Sequence, residues 1–221
     1  MIQTDHIADP VIHLPSLRSL EIASPEYGHI CLIERLALPN LVSLSVGAIH
    51  RPQDVYFPVC GLGDVGGTVL LKALARPSPV TGRSVFSKLR EINLTRIGCD
   101  DEAAIAYMFT ELTELLSLSL DDELAIMDWE DVLIKQWESI AHSNKEPLLP
   151  KLETFKTTRL SSESARELIQ ARKATGKPFK KASMGRTSVF TKEDEQWIRD
   201  HVDIFEHHDG LLGKVVLKTE I

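Results

Sequence analysis

Three stretches of the chain carry residue types that do chemistry elsewhere. Gly61-Leu-Gly63-Asp-Val-Gly66 has the G-x-G-x-x-G spacing. In a dinucleotide site such glycines let a pyrophosphate approach the N-terminus of a following helix, and helical periodicity does follow here. The preceding Val55-Tyr-Phe-Pro58-Val-Cys60 carries a proline, which demotes it as a central strand. The acidic residue needed about twenty positions on would be Glu91, at an outward position of a strand. The stretch is read as a flexible turn before a helix. His207-His208-Asp209 offers metal-ligand types, but adjacent histidines rarely converge on one ion, and no distant Cys or His cluster completes a set. A solvated turn is expected there. Arg172, Lys173, Lys177, Lys180, Lys181 and Arg186 form a basic stripe, read as a solvated face on the last repeat; binding nucleic acid would require it to prevail over a net charge of −7. No nucleophile–base pair, paired-carboxylate motif or Gly-Lys-Ser/Thr phosphate loop is present. The expectation is therefore no enzyme, no cofactor and no metal.

The elements that would position any site come from a repeat. Four apolar anchors recur, spaced three, three and two apart. They read Leu14, Leu17, Leu20, Ile22, then Leu38, Leu41, Leu44, Val46. Phe86, Leu89, Ile92, Leu94 and Leu112, Leu115, Leu118, Leu120 follow. Leu149, Leu152, Phe155, Thr157 is a weaker copy, and Phe179, Ala182, Met184 a partial one. The last residues of each copy alternate, which predicts a short strand with one face inward. The three-residue steps predict a turn entering that strand. Counted between second anchors, the copies are 24, 48, 26, 37 and 27 residues apart. A period in the twenties is the mark of leucine-rich repeats, and the two long steps make the array irregular.

Helical periodicity lies between the strands. It covers 67–75 and 101–109, then a longer stretch over 122–143 with Ile126, Trp129, Leu133, Trp137 and Ile140 on one face. A fourth helix is expected over 161–175, stopped at Gly176-Lys-Pro178. Thr191-x-x-Asp194 predicts a capped start for a fifth, reaching about Val202. Asp209-Gly210 reads as a turn, and 211–218 as a short closing strand. Trp129 and Trp137 are expected to pack in the core. The fold class is α/β, an irregular leucine-rich-repeat solenoid: a curved parallel sheet with covering helices.

Composition agrees. The chain has 221 residues, 43% apolar and 26% charged, which suits an ordered globular protein. No apolar run reaches the roughly 18 residues of a membrane span, and no secretory signal opens the sequence. Cys31, Cys60 and Cys99 are odd in number and far apart, read as reduced thiols of a cytoplasmic or nuclear protein.

The Leu-Pro openings at Leu14-Pro15 and Leu38-Pro39 resemble the leucine-rich-repeat region of fungal F-box proteins. So do Leu149-Pro150-Lys-Leu-Glu-Thr-Phe155, Arg166-Glu-Leu-Ile169 through Lys173, Pro178-Phe179, and Glu195-Gln-Trp197-Ile198 through Val202. The resemblance spans about residues 11–205. It implies substrate recognition for an SCF-type ubiquitin ligase, in which a separate helical F-box grips the adaptor and the repeats hold the target. Two departures stand out. Only 13 residues precede the first anchor, too few for an F-box, so adaptor binding is expected only if an F-box is supplied upstream. The position after each strand, where such repeats carry Asn or Cys, holds Pro25, Ile49, Ile97, Glu123 and Leu160, which predicts looser turns.

Domain boundaries are set at 1–13 for a lead-in, 14–185 for the repeats, and 186–221 for a C-terminal helix and capping segment. With the anchors inward, their alternating neighbours form a concave floor: Ser19, Glu21, Ser43, Ser45, Glu91, Asn93, Thr95, Ser117, Ser119, Asp121, Thr154, Lys156 and Thr158. This polar floor is the candidate partner-binding surface. The expected function is a protein–protein interaction module with an unknown protein target, without nucleic-acid or membrane partners. A structural or vestigial repeat protein with no ligase role is one alternative. A nucleotide-dependent enzyme using the glycine turn is the other.

Overall fold

The computed structural model describes residues 11–23, 32–47, 64–78, 81–121, 129–141, 146–185, 188 and 190–208. Strands β1 (Ile12–His13), β2 (Ser19–Ala23), β3 (Leu36–Ala37) and β4 (Ser43–Gly47) come first. Helix α1 (Asp64–Ala75) and a 3-10 turn (Val85–Lys88) lead to β5 (Glu91–Thr95), α2 (Glu102–Glu111) and β6 (Ser117–Asp121). Then come α3 (Trp129–Ala141), β7 (Thr154–Thr157), α4 (Ser162–Ala174), β8 (Lys181–Gly185), α5 (Lys192–Arg199) and β9 (Ile204–His208). The fold is α/β. Seven strands form one parallel sheet in the order β2-β4-β5-β6-β7-β8-β9, and β1 pairs with β3 in a small sheet beside it. The lead-in thus contributes a strand, β1.

The register follows the sequence pattern. Leu20, Leu44, Ile92, Leu118, Phe155, Ala182 and Phe205 line up rung by rung. Ile22, Val46, Leu94, Leu120, Thr157, Met184 and His207 form the second inward row. The turns repeat as well. In five rungs the second anchor's N–H donates to the first anchor's carbonyl: Leu17 to Leu14, Leu41 to Leu38, Leu89 to Phe86, Leu115 to Leu112 and Leu152 to Leu149, at 3.0–3.3 Å. One carbonyl per rung then accepts two N–H groups of the next. Arg18 receives Val42 and Ser43, Val42 receives Arg90 and Glu91, and Arg90 receives Leu116 and Ser117. The same geometry recurring at each rung is why an apolar anchor is needed at each matching position.

The helices pack side by side in chain order, and their buried residues join the inward rows in a single core. Leu118, Phe155, Leu133 and Trp137 are fully buried there and Trp129 nearly so, the core packing the tryptophan spacing predicts. Burial of such side chains stabilises the fold by about 1.5–3 kcal/mol each. Helix starts carry their own signals. Asp101 and Ser161 cap α2 and α4 by accepting the N–H of Ala104 and Ser164, and Thr191 with Asp194 closes a complete capping box on α5.

Four expectations are corrected. α1 begins at Asp64, so Gly66 lies within the helix and not in a turn ahead of it; Gly61 and Gly63 lie outside the described residues. α5 stops at Arg199, because Val202 is buried as the second anchor of a seventh rung, with β9 behind it. His207 and His208 therefore belong to a strand and not to a solvated turn; Asp209 and the closing strand expected at 211–218 lie outside the described residues. Arg172 is buried and leaves the basic stripe. It donates to the Leu148 carbonyl at 3.2 Å and the Leu152 carbonyl at 2.9 Å. Its guanidinium lies 5.2 Å from the Trp137 ring centre and 5.8 Å from that of Phe179. Burial pulls its pKa down to about 10, which leaves it charged at neutral pH. Leu149, between those carbonyls, has φ of 53°. Arg172 and the Trp137 indole, 3.1 Å from the Leu148 carbonyl, brace this left-handed turn on both sides. Of the positions after the strands, Ile97 and Leu160 are buried, so apolar packing stands where a hydrogen-bonding ladder was missing. Pro25, Ile49 and Glu123 lie outside the described residues.

Candidate functional site

The outward residues of the sheet fall into three rows. Ser19, Ser43, Glu91, Ser117 and Thr154 align across β2–β7, continued by Lys181 and Ile204. Glu21, Ser45, Asn93, Ser119 and Lys156 form the second row, continued by Ser183 and Glu206. Thr95 and Asp121 pair at the strand ends, and Thr158 follows β7 there. The floor expected from alternation is therefore brought together as one face. β8 and β9 extend it with Lys181, Ser183, Ile204 and Glu206, which the expected floor does not include: Phe179, Ala182 and Met184 make only a partial copy, and the polar His207 does not read as an anchor.

Exposure divides this face. Ser19, Glu21 and Glu91 are exposed, while Ser43, Ser45, Asn93, Ser117, Thr154 and Lys156 are half-buried. Thr95, Ser119, Asp121 and Thr158 are buried, against the expectation that they stand free in solvent. The physical reason for the last two is pairing at the rim: the Thr158 hydroxyl donates to the Asp121 carboxylate at 2.8 Å. On the half-buried floor the Asn93 amide donates to the Ser45 hydroxyl at 3.3 Å, and the Thr95 hydroxyl donates to the Asn93 side-chain oxygen at 3.4 Å. These bonds hold small polar side chains in place.

Charge is divided across the face. Glu21 and Glu91 lie on early strands, Lys156 and Lys181 on β7 and β8. Lys181 meets Glu206 at 2.7 Å. That hydrogen bond and charge hold the Glu206 carboxyl below its usual range, with Ser183 and Lys156 acting in the same direction.

The other candidates resolve differently. Among the described residues no group of three or more His, Cys, Asp and Glu is placed to hold a metal ion. His207 lies 2.9 Å from the Glu195 carboxylate, and His208 is 3.0 Å from the Thr157 carbonyl. Cys99 is buried against Thr68, 3.1 Å from its hydroxyl. No described helix is long and apolar enough to cross a membrane. The chain matches no protein-family model and no curated protein.

Proposed function

We propose that the chain is a protein-interaction module, an irregular leucine-rich-repeat solenoid that resembles the substrate-recognition repeats of an SCF-type F-box protein. One observation carries the reading: a parallel sheet in strict chain order with its helices in one layer and a polar row face on the other side. Parallel sheets ordinarily have both faces covered, whereas repeat arrays keep one face for partners. In this reading Glu21, Glu91, Asn93, Lys156 and Lys181 make the contacts, and Thr95, Asp121 and Thr158 fix the rim behind them. Binding is its whole activity, with no catalytic step, and a reducing cytoplasmic or nuclear setting suits the buried Cys99 thiol.

The test uses the double variant Glu21→Lys with Glu91→Lys. Both side chains are exposed, so the unfolding midpoint should stay put while complementarity to a partner is lost. Affinity capture with the parent chain and the variant, read by mass spectrometry, should give different retained proteins. Identical sets would remove the face as the site. Fusing an F-box upstream then asks the ligase question: a retained protein should be ubiquitinated by the reconstituted ligase. Retention without ubiquitination would leave an interaction module outside the ligase class.

A further inference from the structure

A second surface lies at the opposite end of the strands. A cleft of about 870 Å³ opens where β2, β4 and β5 begin, walled by the ends of α1 and α2 and by the 3-10 turn. Arg18, Arg83, Lys88 and Arg90 line it. All four side chains are exposed, and none lies within ion-pair distance of a carboxylate among the described residues. Elsewhere on the described surface Lys72, Arg76, Lys151, Arg166, Lys180 and Lys181 each have such a partner within 2.8 Å. The two acids of the cleft are already engaged. Glu114 holds Lys151 at 2.6 Å, and Glu111 accepts the Ser84 hydroxyl at 2.8 Å. A chain of net charge −7 thus gathers around one concavity four cations with no ion-pair partner among the described residues.

We propose that this cleft binds an acidic peptide segment of a partner protein. The backbone sets the spacing. Arg18, Val42 and Arg90 occupy successive rungs, joined by the Val42 N–H to the Arg18 carbonyl and the Arg90 N–H to the Val42 carbonyl, each at 2.8 Å. Neighbouring strands lie about 4.8 Å apart, so the two arginines are rooted roughly 10 Å apart with the short Val42 between them. A peptide in the extended polyproline II conformation advances about 3.1 Å per residue and turns once every three residues. Carboxylates three residues apart therefore lie on one face, about 9 Å from each other, and meet both guanidinium groups, each of which forms paired hydrogen bonds to a carboxylate. Lys88 and Arg83 extend the positive wall for a further acid. A long nucleic acid would project beyond the cleft and meet the field of a chain whose net charge is −7. A short segment feels mainly the charges within a Debye length of about 10 Å.

The test measures fluorescence anisotropy of a short labelled peptide with glutamate at every third position, titrated with the full chain. The same peptide with glutamine at those positions and a single-stranded RNA of equal charge are the comparison arms. Saturable binding is expected for the glutamate peptide alone, weakening as salt rises from about 50 to about 300 mM. Arg18→Gln with Arg90→Gln should weaken it about thirtyfold, as two ion pairs at the upper end of the exposed range would. Arg83→Gln with Lys88→Gln should weaken it as well and carries the test if the first pair fails to fold. Lys173→Gln with Lys177→Gln, equally exposed and remote, should change nothing. Absence of saturable binding, equal binding of the glutamine peptide or the RNA, or equal loss in the remote variant would overturn the proposal. The cleft is separate from the open sheet face, so either surface can fail its test without the other.

Discussion

β6 and β9 occupy the same slots of one sheet with different side chains. In β6 the inward slots hold Leu118 and Leu120, both fully or almost fully buried, and the outward slots hold Ser117, Ser119 and Asp121. In β9 the inward slots hold Phe205 and His207, and the outward slots hold Ile204, Glu206 and His208. An isoleucine thus stands 53% exposed where β6 has a serine, and an imidazole stands where β6 has a leucine. The end rung tolerates this because α5 supplies what the apolar slot lacks. The Glu195 carboxylate lies 2.9 Å from the His207 Nε2, Arg199 lies over the Phe205 ring at 5.0 Å, and Phe190 and Phe205 flank the imidazole. The same device serves one middle rung, where the inward Thr157 hydroxyl of β7 donates to the Glu130 carboxylate of α3 at 2.9 Å; β6 has sheet on both sides and two leucines in its inward slots, so it depends on shape and apolarity. Slot and register define the sheet; residue type follows only where neighbours leave no alternative.

The largest contrast should come from emptying an inward slot. Leu118→Ala leaves a cavity with neighbours on every side and should cost about 2–5 kcal/mol in denaturant unfolding. His207→Ala, at the edge and replacing a half-buried ring, should cost about 1 kcal/mol. Equal losses would mean that the two rungs are not energetically distinct.

A smaller contrast lies on the outward rim. Asp121 is 5% exposed and bonded to Thr158, so Asp121→Lys buries an unpaired cation and should destabilise by about 3 kcal/mol. Glu91→Lys, exposed one strand away, should move stability by less than about 0.5 kcal/mol. Beyond the rim, Gly185 belongs to the same end of the sheet. A methyl there would overlap the Thr158 carbonyl oxygen and stand 2.8 Å from its Cα. Gly185→Ala should therefore cost about 1–3 kcal/mol, the range of overpacked sites, read from the same unfolding curves.

Much of this was legible in sequence and some was not, for reasons tied to particular residues. The inward rows of β2, β4, β5, β6 and β7 follow directly from anchors spaced three, three and two, because period-two alternation and burial are the same fact seen twice. β9 escaped because Val202, Phe205 and His207 share that spacing with Asp203 and Glu206 between them, and a histidine does not read as an anchor. Arg172 sat in a run of cations, and only the carbonyls of Leu148 and Leu152 make it a buried brace. The floor was legible as a face but not in depth: alternation tells which side a residue takes, and loop cover and hydrogen bonding decide whether Ser119 or Asp121 meets water. The basic cleft is a matter of long-range assembly. Arg18 and Arg90 are far apart in sequence and are neighbours but for Val42 only through strand order.

The cap of the last helix should matter less than the slots it serves. Thr191→Ala removes the hydroxyl that accepts the Asp194 N–H at 3.1 Å, and should cost about 1 kcal/mol. Asp194 itself is held below its ordinary pKa of 3.8, first by the Thr191 hydroxyl, then by the Thr191 N–H and Arg166. A carboxylate with a depressed folded pKa contributes stability above its unfolded pKa and loses it as pH falls through the folded value. Stability should therefore decline below about pH 4, and Asp194→Asn should flatten part of that decline in pH-dependent unfolding.

The smallest effect concerns the second outward row, where Ser119 in β6 and Glu206 in β9 hold equivalent slots. Glu206 is exposed and paired with Lys181, which keeps its carboxyl below its ordinary value of 4.5. Solvent screens such a pair, so Glu206→Gln should change stability near neutral pH by less than about 0.5 kcal/mol. The same linkage sign applies: the pair contributes above the unfolded pKa and is lost as pH falls through the lower folded value. Glu206→Gln should therefore lie slightly below the parent at pH 6 to about 7 and converge with it in acid. Ser119→Ala, in the equivalent slot without a titrating group, should differ from the parent by the same amount at every pH. Parallel pH profiles for both variants would show that the edge rung carries no electrostatic contribution of its own. Its tolerance of polar and charged residues would then come from edge exposure alone, not from the partners gathered around it.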